Sequence, residues 1–144
     1  MSQLTKNTEY YRTEKILGVR VDFVDLEKIL LRVEEWVKSN KQYQITTPNP
    51  EHIILAQKDY RFRNIINKSA LAIADGIGVV WALRLLKHQW KNIHRLSGID
   101  LMTALCKLGR QKKWRVFLLG AKKDVARKAA ENIKRIILAQ CKDY

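Results

Sequence analysis

Two clusters of short polar side chains stand where runs of apolar residues end. Asp75 follows the apolar run 71–74 and precedes Gly76 and Gly78, a pattern typical of a strand that ends at the rim of a sheet. A carboxylate in that place can take a proton from a substrate hydroxyl if it lies within hydrogen-bond reach. Thr47 and Asn49, beside two prolines, present a hydroxyl and an amide that suit a sugar or a phosphate. Two such polar clusters at predicted strand ends in one short chain predict a single active cleft.

Each cluster also has a purely local interpretation. Asp75 is a suitable N-cap for a helix that begins near Ile77, and Asn49 is a suitable N-cap for a helix that begins at Pro50. Capping residues bond the free amides of the first helical turn and need no substrate. The spacing of these residues leaves both interpretations open.

A stretch without acidic side chains separates Asp75 from Asp100, and it contains arginines, lysines and two histidines. Guanidinium groups bind phosphate oxygens in a bidentate way, so such a stretch beside a candidate base favours a diphosphate-bearing substrate. Most of these cations are nevertheless expected to lie on a solvated face. The histidines and cysteines show no metal-ligand spacing, and the turn at Gly120 lacks the further glycines of a dinucleotide-binding loop. We therefore predict neither a metal site nor a cofactor.

Composition and charge bound the class of protein. The 144 residues are 47% hydrophobic and 29% charged, as expected for one globular domain preceded by a loose lead-in at residues 1–13. The formal charge is +14, and most of the excess lies after residue 75. This field favours an anionic partner: a phosphate, a nucleic acid or an acidic membrane surface. A basic, non-catalytic module that binds nucleic acid or a membrane surface is therefore an alternative to an enzyme.

Targeting signals are not evident. The N-terminus has no apolar core of a signal peptide, and no window approaches 18 uninterrupted apolar residues. Cys106 and Cys141 lie in helical patterns and are interpreted as small apolar residues in a reducing cytosol. We expect a cytoplasmic protein.

Strand-like and helix-like segments alternate along the chain. A strand or tight β-unit is predicted at 16–24, around Gly18, and strands are predicted at 43–46, 71–74 and 114–119. Helices are predicted from Asp25 to about 37, from Pro50 to about 68 with a break near Asp59, at 77–86, from Gly98 to an end at Gly109, and from about 121 to Gln140. This order predicts an α/β fold with a mostly parallel sheet, which is incomplete where the chain stops after its last helix.

Four motifs in order resemble those of the WecG/TagA/CpsF family of glycosyltransferases. They are TPNPE at 47–51, ADGIGVV at 74–80, RLSGIDL at 95–101 and VFLLGA at 116–121. The resemblance covers about residues 15–140, and it implies a Rossmann-like α/β/α sandwich. It also implies inverting transfer of an N-acetylhexosamine, such as N-acetylmannosamine, from a UDP-sugar donor to a polyprenyl-diphosphate-linked acceptor for cell-surface polysaccharide at the cytoplasmic membrane face.

The resemblance assigns roles to individual residues. Asp75 is implied as the catalytic base with Thr47 beside it, and the substrate-binding residues are Asn49, Arg95, Gly76 and Gly78. Family members continue beyond this point, so the chain resembles the N-terminal part of one glycosyltransferase domain, placed at 14–144. We expect such a truncated chain to have an unfilled sheet edge prone to association, and its own activity is in question.

Overall fold

The computed structural model describes residues 12–76, 78–79, 96–120 and 122–139. The chain divides into two compact units, the first ending at Gly98 and the second beginning at Ile99. The elements of the described residues are β1 (Arg12–Ile16), β2 (Val19–Phe23), α1 (Leu26–Lys38), β3 (Ile45–Thr46), α2 (Pro50–Lys58), α3 (Tyr60–Lys68), β4 (Leu71–Ala72), α4 (Gly98–Gln111) and α5 (Val125–Ala139). The predicted α/β class is confirmed.

A hairpin opens the first unit. β1 pairs antiparallel with β2, and the closing pair of the ladder is Ile16 with Val19. The two turn residues, Leu17 and Gly18, have φ of 49° and 78°, as a type I′ turn requires. The sequence predicted a strand or tight β-unit at 16–24 around Gly18, and the structure divides this range into the turn and β2, while β1 begins at Arg12, near the expected end of the lead-in. Only Ile16 of β1 is buried, so the strand has no apolar alternation to reveal it.

β4 lies between the hairpin and β3. It pairs in parallel with β3, with Ile45 opposite Leu71 and Thr46 opposite Ala72. An isolated parallel bridge joins Asp22 of β2 to Ile73, just beyond the end of β4. The predicted strands at 43–46 and 71–74 are thus present but shorter, and the hairpin adds an antiparallel pair to the predicted parallel sheet.

The helices of the first unit begin where their caps predict. α1 follows Asp25, which has the extended backbone of an N-cap but makes no side-chain capping bond. Asp59 ends α2 and begins α3, and its Oδ1 accepts a hydrogen bond from the Phe62 amide over 2.9 Å. The predicted break near Asp59 is confirmed.

The core of this unit is formed by Ile16, Val19, Val21, Ile53, Ala56, Ile66, Ala72, Ala74 and Val79.

In the second unit, α4 continues past its predicted end at Gly109. It closes at Gln111 with Lys113 in the left-handed region at φ 58°. The Trp114 amide donates to the Gly109 carbonyl at 2.7 Å and the Lys113 amide to the Arg110 carbonyl at 3.2 Å, which is the Schellman pattern. The helix therefore ends two residues after the predicted Gly109, with a lysine in the left-handed position.

The strand predicted at 114–119 is wrong for the described part of the chain, where this segment joins no ladder. Its side chains nevertheless alternate as in a strand. Val116, itself 56% exposed, and Leu118 line a cleft of about 370 Å³ with residues of α4 and α5, whereas Phe117 and Leu119 lie outside this lining and are 85% and 91% exposed. An apolar sequence alone does not make a strand, because the ladder needs a partner backbone.

α5 confirms the predicted final helix and its stripe. The five stripe positions are all at least partly buried within the second unit, and they are Ala126, Ala129, Ala130, Ile133 and Ile137. Cys106 of α4 is buried as well, and this burial raises the pKa of its thiol. Among the described residues, no helix is long and apolar enough to cross a membrane.

Candidate functional site

The structure brings Thr47 and Asp75 to the same edge of the parallel pair. Thr47 directly follows the ladder residues of β3 and Asp75 lies three residues after those of β4, both at the carboxyl ends where ligands bind in parallel sheets. The pairing continues beyond the ladder, because the Ile73 amide donates to the Thr46 carbonyl at 2.8 Å and the Asp75 amide to the Pro48 carbonyl at 3.0 Å. These backbone bonds continue the parallel register, in which Thr47 lies opposite Ile73 and Asp75 lies opposite Asn49.

Gly98 shows how close the two functional groups lie. A Cβ atom built on Gly98 would be 3.4 Å from Asp75 Oδ2 and 3.4 Å from Thr47 Oγ1. Neither oxygen forms a hydrogen bond or ion pair within the described residues, and both side chains are half-buried. A carboxylate and a hydroxyl therefore face one small space, and their hydrogen-bonding capacity is available to a ligand.

Asn49 has a local role that its spacing predicted. Its Oδ1 accepts a hydrogen bond from the His52 amide over 2.8 Å, so it is the N-cap of α2. Pro50 at the first helical position completes this start. The capping interpretation of Asn49 is confirmed, and a contact from the remaining amide nitrogen to substrate stays a prediction.

Gly76 and Gly78 shape the backbone beside Asp75. Gly76 has φ of 100°, a conformation that residues with a Cβ atom rarely adopt. A Cβ atom on Gly78 would come within 2.8 Å of Pro50 Cγ, closer than real Cβ contacts. Both glycines thus let the chain turn tightly against Pro50. Their predicted substrate contacts stay predictions.

Some predicted features lie outside the described residues. Arg95 is one of them, and so is most of the helix predicted at 77–86. Ile77, near which that helix was predicted to begin, is also outside the described residues, so the alternative role of Asp75 as an N-cap stays a prediction. The acid-free basic stretch falls in the same range. In the part of the chain that the structure describes, no group of three or more histidines, cysteines or acidic residues is placed to hold a metal ion.

Two residues with a part in this site escaped the sequence interpretation. Gly98 was predicted only as a helix start, although its missing side chain leaves the space beside Thr47 and Asp75. Asp22 is a buried carboxylate whose Oδ2 accepts a hydrogen bond from the Ala72 amide over 2.8 Å. By strand alternation Asp22 shares the face of Arg20, opposite that of Val19 and Val21, so the pattern of β2 gave no signal for its burial.

Comparisons with known proteins agree on one family. The sequence model of the glycosyl transferase WecG/TagA/CpsF family matches residues 14–140. Among curated proteins, an N-acetylglucosaminyldiphosphoundecaprenol N-acetyl-beta-D-mannosaminyltransferase of Bacillus spizizenii is 34% identical over 119 residues, which are 81% of this chain and 46% of that protein. The protein of the same name from Staphylococcus aureus (strain NCTC 8325) is 33% identical over 116 residues, 79% of this chain and 45% of its own length. The chain thus spans less than half the length of these relatives.

Proposed function

The chain belongs to the WecG/TagA/CpsF family of glycosyltransferases, and from this premise we propose that it carries the acceptor-activating half of a sugar-transfer site. The reaction is inverting transfer of an N-acetylhexosamine, N-acetylmannosamine, from a UDP-sugar to a polyprenyl-diphosphate-linked sugar. The names of the similar curated proteins support this choice of sugar and acceptor. Family membership favours an enzyme over the non-catalytic basic module that charge alone allows.

Asp75 is the general base in this proposal. The acceptor hydroxyl gives its proton to Asp75, and its oxygen forms a bond to the anomeric carbon of the donor while the bond from that carbon to the diphosphate breaks. UDP leaves with the electron pair of the broken bond. The observation that carries the proposal is the shared space at Gly98, which Asp75 Oδ2 and Thr47 Oγ1 both border. A hydroxyl group in that space would be within reach of both oxygens.

The other residues bind substrate. Thr47 orients the acceptor hydroxyl, and the Asn49 amide nitrogen binds a sugar oxygen while its Oδ1 caps α2. Gly76 and Gly78 offer backbone to the substrate at close range, and Arg95 pairs with the donor diphosphate. The +14 charge of the chain favours such an anionic donor.

The proposed setting follows from the same family. We place residues 14–144 in the N-terminal part of a single Rossmann-like α/β/α glycosyltransferase domain, which works at the cytoplasmic face of the membrane where its lipid-linked acceptor resides. Exposed apolar side chains such as Phe117 are compatible with a larger assembly.

A transfer assay tests the role of Asp75. The 144-residue chain is incubated with UDP-N-acetylmannosamine and a polyprenyl-diphosphate-linked N-acetylglucosamine, and UDP release and the disaccharide product are measured. Asp75→Asn is expected to lower the rate at least about 100-fold, the scale of general-base catalysis. Asp25→Asn is the matched control, because Asp25 makes no side-chain capping bond and lies at the start of α1. Equal rates for wild type and Asp75→Asn would refute this role, and an inactive wild-type chain would refute transfer by this chain.

A further inference from the structure

Asp22 is a buried carboxylate for which the proposed reaction has no direct use. Its side chain is 0% exposed and is surrounded by hydrogen-bond donors. Oδ1 accepts from Thr13 Oγ1 at 2.7 Å and from Arg20 Nε at 2.9 Å. Oδ2 lies 2.7 Å from Arg20 Nη2 and accepts from the Ala72 amide at 2.8 Å. A buried charge is costly unless it is paired and bonded, and here it is both.

Arg20 extends this cluster to the start of β4. Its Nη1 donates to the Ser69 carbonyl at 2.9 Å and its Nη2 to the Ala70 carbonyl at 3.4 Å. The Arg20 amide also donates to Asn67 Oδ1 at 2.8 Å. The ion pair between Arg20 and Asp22 therefore holds the end of α3 and the first residues of the strand that leads to Asp75.

The strand held in this way is short, although it is buried and a backbone bridge also joins Asp22 to Ile73. β4 has only two ladder residues, Leu71 and Ala72. On one side, amides of this segment donate to the chain that carries Thr47. On the other side, the Ala72 amide donates to the Asp22 carboxylate instead of to a backbone carbonyl. A side chain thus completes the pairing of β4 three residues before Asp75.

We propose that Asp22 is a positioning residue for Asp75. Through Ala72 and Arg20 it holds the segment 69–75 against the hairpin, so that the Asp75 carboxylate stays beside Thr47. The catalytic meaning of this position rests on the proposed function, whereas the positioning itself does not. Loss of the Asp22 charge removes its ion pair with Arg20 and loosens the segment at the Ser69 and Ala70 contacts of Arg20.

Amide hydrogen exchange measured by NMR tests the positioning without any need for activity. In the full chain, Asp22→Asn keeps the shape of the side chain, but its new NH2 group faces the donors of Arg20 or Thr13. We expect the Ile73 and Asp75 amides to exchange at least about tenfold faster relative to the Ile29 amide of α1, since local opening is separate from global unfolding. The Ile29 amide bonds the Asp25 carbonyl at 3.1 Å and serves as the internal reference.

Two control variants separate positioning from general loss of stability. Ile29→Val removes one methylene from a fully buried side chain of α1, and Thr13→Val removes one donor from Asp22 while Arg20 and Ala72 keep their contacts. Neither is expected to change the exchange of Ile73 and Asp75 relative to the other amides of the first unit. Uniform acceleration across this unit in Asp22→Asn, or no acceleration at Ile73 and Asp75, would overturn the proposal.

The transfer assay adds a second readout. Asp22→Asn is expected to lower kcat at least about tenfold while KM for the UDP-sugar stays unchanged, because a displaced base affects the chemical step. An unchanged kcat together with fast exchange at Asp75 would count against Asp75 as the base and leave the positioning intact. Slow exchange at Asp75 together with a lower kcat would count against the positioning.

Discussion

The backbone amide of Asp75 donates a hydrogen bond to the carbonyl of Pro48 over 3.0 Å. This bond joins the segments that carry Thr47 and Asp75, beyond the last ladder pair of β3 and β4. It follows the bond between Ile73 and Thr46 by two residues, the period of a strand, so the parallel alignment continues through the residues that could do chemistry. The relative height of Thr47 and Asp75 is thus set by backbone pairing.

The space beside Gly98 is predicted to be required for transfer. Gly98→Ala would place a methyl group 3.4 Å from both Asp75 Oδ2 and Thr47 Oγ1. We expect transfer to fall at least about tenfold while the melting temperature stays equal or rises, because alanine is favoured over glycine in helices by up to about 1 kcal/mol. Gly109→Ala is the control in the same helix, where the new Cβ would meet Val116 and Trp114 at ordinary distances of 3.5 and 3.7 Å. A wild-type rate for Gly98→Ala would contradict the prediction.

Substitutions of Asn49 separate its capping role from its proposed substrate contact. Serine retains a side-chain oxygen for the His52 amide, so Asn49→Ser is expected to melt like the wild type but to transfer sugar more slowly. Asn49→Ala loses the cap and should cost about 0.5–2 kcal/mol of stability as well. Thermal melting and the transfer assay measure the two effects. If Asn49→Ser transfers at the wild-type rate, Asn49 is a cap and nothing more.

Gly78 and Pro50 are predicted to be energetically coupled. A Cβ atom on Gly78 would lie 2.8 Å from Pro50 Cγ, and the proline ring cannot rotate away. Gly78→Ala should therefore lower the free energy of unfolding by about 1–3 kcal/mol, as overpacking does. Pro50→Ala removes the ring carbon, so the double variant should be more stable than the sum of the single effects predicts. A denaturant-unfolding cycle measures this coupling, and strictly additive effects would speak against the contact.

The alternation along the segment 114–119 predicts opposite effects at adjacent positions. Phe117 is 85% exposed, so Phe117→Ser is expected to change the free energy of unfolding by no more than about 0.5 kcal/mol. Leu118 lines the cleft against α4 and α5, so Leu118→Ser should destabilise by about 1–3 kcal/mol. Denaturant unfolding of both variants checks the expectation. Equal destabilisation would mean that Phe117 is covered in solution.

Local patterns predicted the helices better than the strands. α1, the break at Asp59 and the stripe of α5 were all predicted from spacing and caps. The end of α4 was not, because the helix runs past Gly109 to Gln111 and closes with Lys113, not a glycine, in the left-handed conformation. The start of β1 was missed because its pairing with β2, not its own apolar pattern, makes it a strand.

The candidate site shows the same division. Thr47 and Asp75 could be selected from the sequence, because each is a polar residue that follows an apolar, strand-like run. Ligands bind at the carboxyl ends of parallel strands, so the nearest neighbours along the chain were enough to identify both residues. Gly98 and Asp22 acquired their parts only in the folded chain, where Gly98 approaches both oxygens and Asp22 bonds an amide 50 residues away. Helix caps and apolar periodicity depend on residues a few positions apart, whereas the distance between Thr47 and Asp75 depends on backbone pairing between distant segments. The sequence alone was therefore enough to select Thr47 and Asp75 as chemically suitable residues. Their proximity depends on the parallel pairing of β3 with β4.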